Sequence, residues 1–195
     1  MKLKQLEIRL QGVKGFAKPS AKLEQYMTPA PLAARFLYTA ALAGDLDGLS
    51  VADFGCGTGM LSVGAALLGA KVCGIDSDAG ALRIAKENAG DLSAQFFCRE
   101  IEGFSMPADT VIMNPPFGAQ NEHADRPFID AALASAPAVW GIFNKGSIPF
   151  IETYTKGRAE ITDKIAAGFT IPRQFAFHTR DALDVPVEIL RMERV

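Results

Sequence analysis

The chain has 195 residues, a formal net charge of −2, 49% hydrophobic and 22% charged residues, and three scattered cysteines, Cys56, Cys73 and Cys98. This is the profile of one globular domain that buries about 70% of its unfolded surface and needs no metal or disulfide to fold. The absence of a CxxC spacing excludes a zinc ribbon and fits the reducing cytoplasm. The longest apolar run, 30–44, contains Arg35 and is too short to span a bilayer, and no apolar signal core follows Met1.

In chain order, residues 3–13 read as a helix with Leu3, Leu6, Leu10 and Val13 on one side. Among the first 22 residues Lys2, Lys4, Arg9, Lys14, Lys18 and Lys22 are opposed only by Glu7. That pattern serves equally as a phosphate track or as a solvated helix face. Thr28-Pro29 marks the start of a second helix reaching about Gly44. Strand–helix alternation then begins. Strands are expected at 49–54, 71–75, 94–98, 110–113 and 138–143, with helices at 59–68, 78–89, 126–135 and 147–156. Two final strands, 160–171 and 185–192, have no helix between them. The alternation predicts an α/β fold with a mostly parallel sheet covered on both faces, closed at one edge by an antiparallel hairpin. Residues 1–195 are expected to form a single domain, with 1–45 as an N-terminal helical cap. The ligand site of such a sheet lies at the carboxyl ends of its strands.

Three motifs fall there. The first strand ends Asp53-Phe-Gly55-Cys-Gly57-Thr-Gly59, a glycine turn that brings backbone close to a ligand. The second strand ends at Asp76, followed by Ser77. A carboxylate at that point can accept two hydrogen bonds from a ribose diol. Glu100 follows the third strand and can meet an adenine amino group. Asp53, on this reading, holds the charged end of a nucleoside cofactor. Simpler roles exist for each: a tight turn, a helix cap, an exposed strand-end charge.

The fourth strand ends Met113-Asn114-Pro115-Pro116-Phe117-Gly118. Tandem prolines stop the ladder and stiffen the backbone. The Asn114 side-chain oxygen and the Pro115 carbonyl make a pair of acceptors for the two hydrogens of a conjugated amine. Binding them favours a pyramidal nitrogen and meets its developing positive charge with fixed dipoles. Phe117 can stack on a planar base. The motif thus points to transfer of a methyl group to an exocyclic amine.

These residues resemble the Asn-Pro-Pro-Phe class of amino-methyltransferases. Within it, the chain resembles the archaeal and eukaryotic enzymes of the methyltransferase-like-five family, which methylate adenine N6 in small-subunit ribosomal RNA. Leu23-Glu24-Gln25-Tyr26-Met27-Thr28-Pro29, Asn114 to Gly118, Phe128 to Leu133 and Pro172 to His178 carry the match. The resemblance implies a Rossmann-like class I methyltransferase sheet of order 3-2-1-4-5-7-6 with strand seven antiparallel. It implies S-adenosyl-L-methionine as cofactor, no metal, and RNA as substrate, its target base single-stranded or flipped. It places Gln25, Tyr26 and Thr28 at the cofactor with Asp53, Gly55, Gly57, Gly59, Asp76, Ser77, Glu100 and Asn114. Asn114, Pro115, Pro116 and Phe117 stand at the reacting amine. Strand three lies at a sheet edge, where eukaryotic relatives add a small zinc-binding activator protein. Lys145, Arg173, His178 and Arg180 are expected near the mouth. The chain departs from the family at Glu100, where aspartate is usual, and at Asn144, where histidine is usual. Guanine N2 in RNA, adenine N6 in DNA, a protein glutamine amide, or cofactor binding without catalysis are the alternatives.

Overall fold

The structure is a computed structural model that describes residues 1–20, 24–118, 123–172 and 182–195. Two helices, α1 (Leu3–Leu10) and α2 (Ala30–Leu42), precede β1 (Ser50–Phe54), α3 (Met60–Leu67), β2 (Lys71–Asp76), α4 (Ala79–Ala89) and β3 (Ala94–Cys98). Then follow β4 (Thr110–Met113), α5 (Arg126–Ser135), β5 (Ala138–Asn144), α6 (Ile148–Tyr154), β6 (Ala159–Pro172) and β7 (Ala182–Arg194). The seven strands form one sheet of order β3-β2-β1-β4-β5-β7-β6. β7 runs antiparallel to both β5 and β6, and the other neighbouring pairs are parallel.

Local chemistry explains the boundaries. α2, α5 and α6 each carry proline in the first turn, where its missing N–H costs nothing and its fixed φ suits a helix. The Asp78 carboxylate caps α4 by accepting from the N–H groups of Gly80 and Ala81. α1 is shorter than its apolar spacing suggests. It ends at Leu10 because the chain tightens there, with Gly12 bonded to the Arg9 carbonyl and Val13 to that of Leu10. Leu6, Leu10 and Val13 are buried, whereas Leu3 is exposed. Of the basic N-terminal residues, Lys4 pairs with Glu7 and Lys14 with Glu87, and Lys22 lies outside the described residues. The final strands run longer than expected. The β6–β7 ladder continues to Pro172↔Ala182, while β5 stops pairing with β7 at Asn144↔Val187.

Side-chain alternation sorts the core into two layers. Val51, Val72, Ile112, Trp140 and Ile142 face Leu10, Phe36, Leu37, Leu61 and Leu82 from the first four helices. Phe54, Val111, Met113, Val139 and Phe143 face Ile129, Leu133 and Ile151 from α5 and α6. The parity has a functional consequence. Asp53 alternates with Ala52 and Phe54, and Asn114 follows Met113, so both turn toward the α1–α4 side.

The two ends of the chain are joined through one buried carboxylate. Asp45, after α2, accepts from the Trp140 indole N–H at 2.7 Å and from Arg191 Nε at 2.7 Å. Trp140 and Arg191 are register partners on β5 and β7. An Asp45→Ala change strands two donors, one of them charged. Equilibrium urea unfolding is expected to show a loss of about 3 kcal/mol.

Candidate active site

A cavity of about 310 Å³ opens at the carboxyl ends of β1, β2 and β4. Its walls include Gln25, Tyr26, Gly55, Gly57, Asp76, Ser77, Glu100, Asn114, Pro115 and Pro116. A smaller chamber of about 40 Å³ adjoins it and is lined by Asp53, Thr28, Tyr26 and Asn114. Five separate stretches of sequence are therefore brought to one place.

The glycine turn is shaped by rings that the motif does not contain. Gly55 has φ +71°, and a Cβ there would sit 2.8 Å from Phe128 Cε1. Gly57 has φ +53°, and a Cβ there would meet Phe16 Cζ at 2.8 Å. Any side chain would be strained in backbone and would collide with an aromatic wall. Gly59 serves differently. It is the left-handed N-cap of α3, packed against Ala85, and is not part of either cavity wall. Asn88 on α4 ties the turn to the N-terminal segment, bonding the carbonyls of Thr58 and Lys14 and the Lys14 N–H.

Asp53 and Asp76 divide the acidic work. Asp76 accepts from the backbone N–H groups of Gly57 at 2.8 Å and Asp78 at 2.9 Å, and it lines the cavity. Burial raises its pKa. Asp53 is almost fully enclosed; its Oδ2 accepts from the Ser62 hydroxyl at 2.5 Å, and its Oδ1 is buried with no hydrogen-bond partner among the described residues. Desolvation, opposed in part by Ser62, pushes its pKa up to about 7.

The segment before α2 clamps this constellation. Gln25 is buried and fully engaged. Its oxygen accepts from Ser20 N–H and its amide donates to Asp78 Oδ2 at 2.8 Å, which lowers the Asp78 pKa. Glu24, with φ +48°, accepts from the Phe117 N–H at 2.8 Å. The Tyr26 hydroxyl donates to Asn114 Oδ1 at 3.1 Å, and Asn114 Nδ2 donates to Thr28 Oγ1 at 2.9 Å. Burial holds the Tyr26 phenol far above its ordinary pKa, so it stays a donor. Both ends of the Asn114 amide are thus fixed while the residue remains on the cavity wall. The Phe117 ring tilts against Tyr26, with centroids 5.6 Å apart at 46°, rather than forming part of either cavity wall.

Ser77 and Glu100 are exposed rim residues on the cavity wall. Asn144, at the position where the family has histidine, donates to the Phe117 carbonyl at 3.3 Å. Lys145 is exposed beyond it. Arg173, His178 and Arg180 lie outside the described residues. Phe16 and Ser62 belong to no motif, whereas Glu24 and Phe128 stand inside matched segments that assign them no role.

A site built at the strand ends of a 3-2-1-4-5-7-6 sheet is that of a class I methyltransferase, and residues 33–150 match the methyltransferase small domain model. The chain belongs to the methyltransferase small domain family. It is similar to the rRNA N(6)-adenosine-methyltransferase of Danio rerio, 35% identical over 98% of both chains. An uncharacterised protein of Methanocaldococcus jannaschii is 37% identical, covering 100% of this chain and 95% of its own. Among solved structures, a Pyrococcus horikoshii protein described as a candidate RNA methyltransferase superposes with a TM-score of 0.93. It is 39% identical and covers 100% of this chain and 98% of its own.

The Asp53 environment has a measurable consequence without any ligand. Its folded pKa, about 7, lies above the 3.8 of the free side chain. The native state therefore keeps a proton that the unfolded chain has released between those values. The stabilisation is complete below about pH 4 and is lost as pH rises through 7. The thermal midpoint of the ligand-free protein is expected to fall between pH 5 and pH 8 on this account. Asp53→Asn, which cannot ionise, is expected to remove that part of the slope in a pH series of thermal melts.

Proposed function

We propose that this chain transfers the methyl group of S-adenosyl-L-methionine to the N6 amine of an adenosine in ribosomal RNA. The observation that carries the reading is the Asn114 amide, clamped by Tyr26 and Thr28 at the wall of a cavity that also holds a glycine turn and two strand-end carboxylates.

The residues fit the cofactor. The unpartnered, buried Asp53 Oδ1 suits a cationic group in the small chamber, which makes it the residue to hold the methionine ammonium. Asp76 would accept from the ribose diol and Glu100 from the adenine amine, while Gly55 and Gly57 leave room for the chain of the ligand. The cavity is of the size range that small-molecule sites occupy. When bound, S-adenosyl-L-methionine supplies an electrophilic methyl group on sulfur.

The rest is done by the protein. Asn114 Oδ1 keeps a lone pair beyond the one Tyr26 uses, and it accepts one hydrogen of the target amine. The rigid Pro115 carbonyl accepts the other. Thr28, by accepting from Nδ2, prevents the amide from turning its nitrogen toward the substrate. The pair meets the positive charge that develops on the amine, and because the dipoles are already oriented no reorganisation is needed at the moment of transfer. The amine's surplus proton leaves to solvent. Phe117, braced by Tyr26, Glu24 and Asn144, supports the loop that carries Asn114. The small-subunit target, a cytoplasmic location and a zinc-binding activator at the β3 edge are part of the same proposal. That edge is unpaired on one side in the sheet order and exposes Phe97.

Asn114→Ala is expected to cut methyl transfer to ribosomal RNA at least about 100-fold. Its dissociation constant for S-adenosyl-L-methionine should change little, as read by calorimetry alongside nucleoside mass spectrometry. Persistence of N6-methyladenosine formation in that variant would refute the role, and a different methylated nucleoside from the wild-type protein would refute the substrate. Thr28→Val keeps shape but removes the acceptor, so kcat measured at saturating cofactor is expected to fall about tenfold. Asp76→Ala is expected to weaken cofactor binding tenfold or more, because it removes charge-assisted acceptors. An unaltered dissociation constant would reject that assignment.

A further inference from the structure

A second cluster of chemistry lies beside the cavity and takes no part in the site above. Ala124, Pro127 and Phe128 line the cavity, whereas Arg126, between them, does not. The Arg126 side chain turns instead toward α6. Its guanidinium carbon lies 5.3 Å from the centroid of the Phe150 ring and 5.4 Å from that of Tyr154. His123 stacks on Phe150 at 6.3 Å and 20°, and Phe150 on Tyr154 at 5.5 Å and 22°. Arg158 closes the row over Tyr154 at 5.0 Å, but its charge is matched by Asp130 at 2.7 Å.

Arg126 is the exception in this row. Its guanidinium makes no hydrogen bond or ion pair among the described residues, and its Nε is buried without a partner. Two aromatic faces stabilise the cation but satisfy none of its donors. A fixed guanidinium with open donors matches a phosphate, which it can take bidentately. The chain as a whole, at net charge −2, has no general attraction for a polyanion. Contact with a nucleic-acid backbone must come from local cations of this kind.

We propose that Arg126, on its Phe150–Tyr154 platform, binds a phosphate of the single-stranded RNA that flanks the target adenosine, and so steers the base into the cavity mouth. This rests on the RNA reading given above. The strand would cross the rim of the site on the α5–α6 side.

The test is fluorescence anisotropy of a labelled single-stranded, adenosine-containing RNA oligonucleotide against the full chain over a salt series. Arg126→Gln is expected to weaken binding about five- to tenfold. It should also reduce the slope of log K against log salt by about 0.7, one single-strand phosphate. Arg126→Lys should restore the slope, because it restores the charge. Cofactor affinity should be equal in all three proteins. If the wild-type chain binds and methylates the RNA while Arg126→Gln matches it in affinity and slope, this inference is overturned and the functional reading stands. If the wild-type chain binds no RNA, both are overturned.

Discussion

The arrangement depends on one small network, the two hydrogen bonds that hold the Asn114 amide. They join a segment ahead of the first strand to the end of the fourth, across 86 and 88 residues of chain. Asparagine at the end of a short strand has two torsions to lose and an amide that can face either way. Thr28 and Tyr26 remove both freedoms before any substrate arrives. On the proposed mechanism the acceptor is then ready without the entropy and reorientation that a loose side chain would cost at each turnover. Around it the same segment makes Gln25 and Glu24 anchor two other loops, to Asp78 and to Phe117. The N-terminal segment is thus a brace for the loop that follows β4.

The buried carboxylate at Asp53 works by the opposite principle. It is left incompletely satisfied. Ser62 donates its hydroxyl to one oxygen, the other has no hydrogen-bond partner among the described residues, and the residue lines the small chamber. A charge kept in that condition lowers the stability of the empty protein near neutral pH and raises the reward for a cation that completes it. If Asp53 holds the cofactor ammonium as proposed, stability and ligand affinity are traded at a single side chain.

Much of this could be read in advance. The β3, β4 and α5 boundaries fall where prolines, glycines and acidic caps interrupt apolar runs, and the observed elements begin and end at the same residues. The Asp53 to Gly59 turn, Asp76 and Asn114 to Phe117 converge because the alternation of strands and helices puts every such motif at one edge of the sheet. What escaped was the set of partners. Nothing about Ser62, in an apolar helix, marks it as the donor to Asp53. Phe16 and Phe128 appear as ordinary apolar residues until they are found against Gly57 and Gly55. Arg126 looks like any first-turn residue, and its significance comes only from two rings on another helix. Gly59 illustrates the reverse. Its place in the repeat suggests a ligand contact, but its left-handed conformation serves the start of α3. Spacing along the chain identifies positions near a site; which atoms touch is a property of packing.

Trp140 adds something of practical value. It is the sole tryptophan of the chain, fully buried on a central strand, with its indole N–H bonded to a carboxylate from the N-terminal half and its strand paired to the C-terminal hairpin. It lies away from the cavity walls. Its emission therefore monitors the joining of the two halves of the chain from a position outside both cavity walls, so one intrinsic fluorophore reports on cooperative folding.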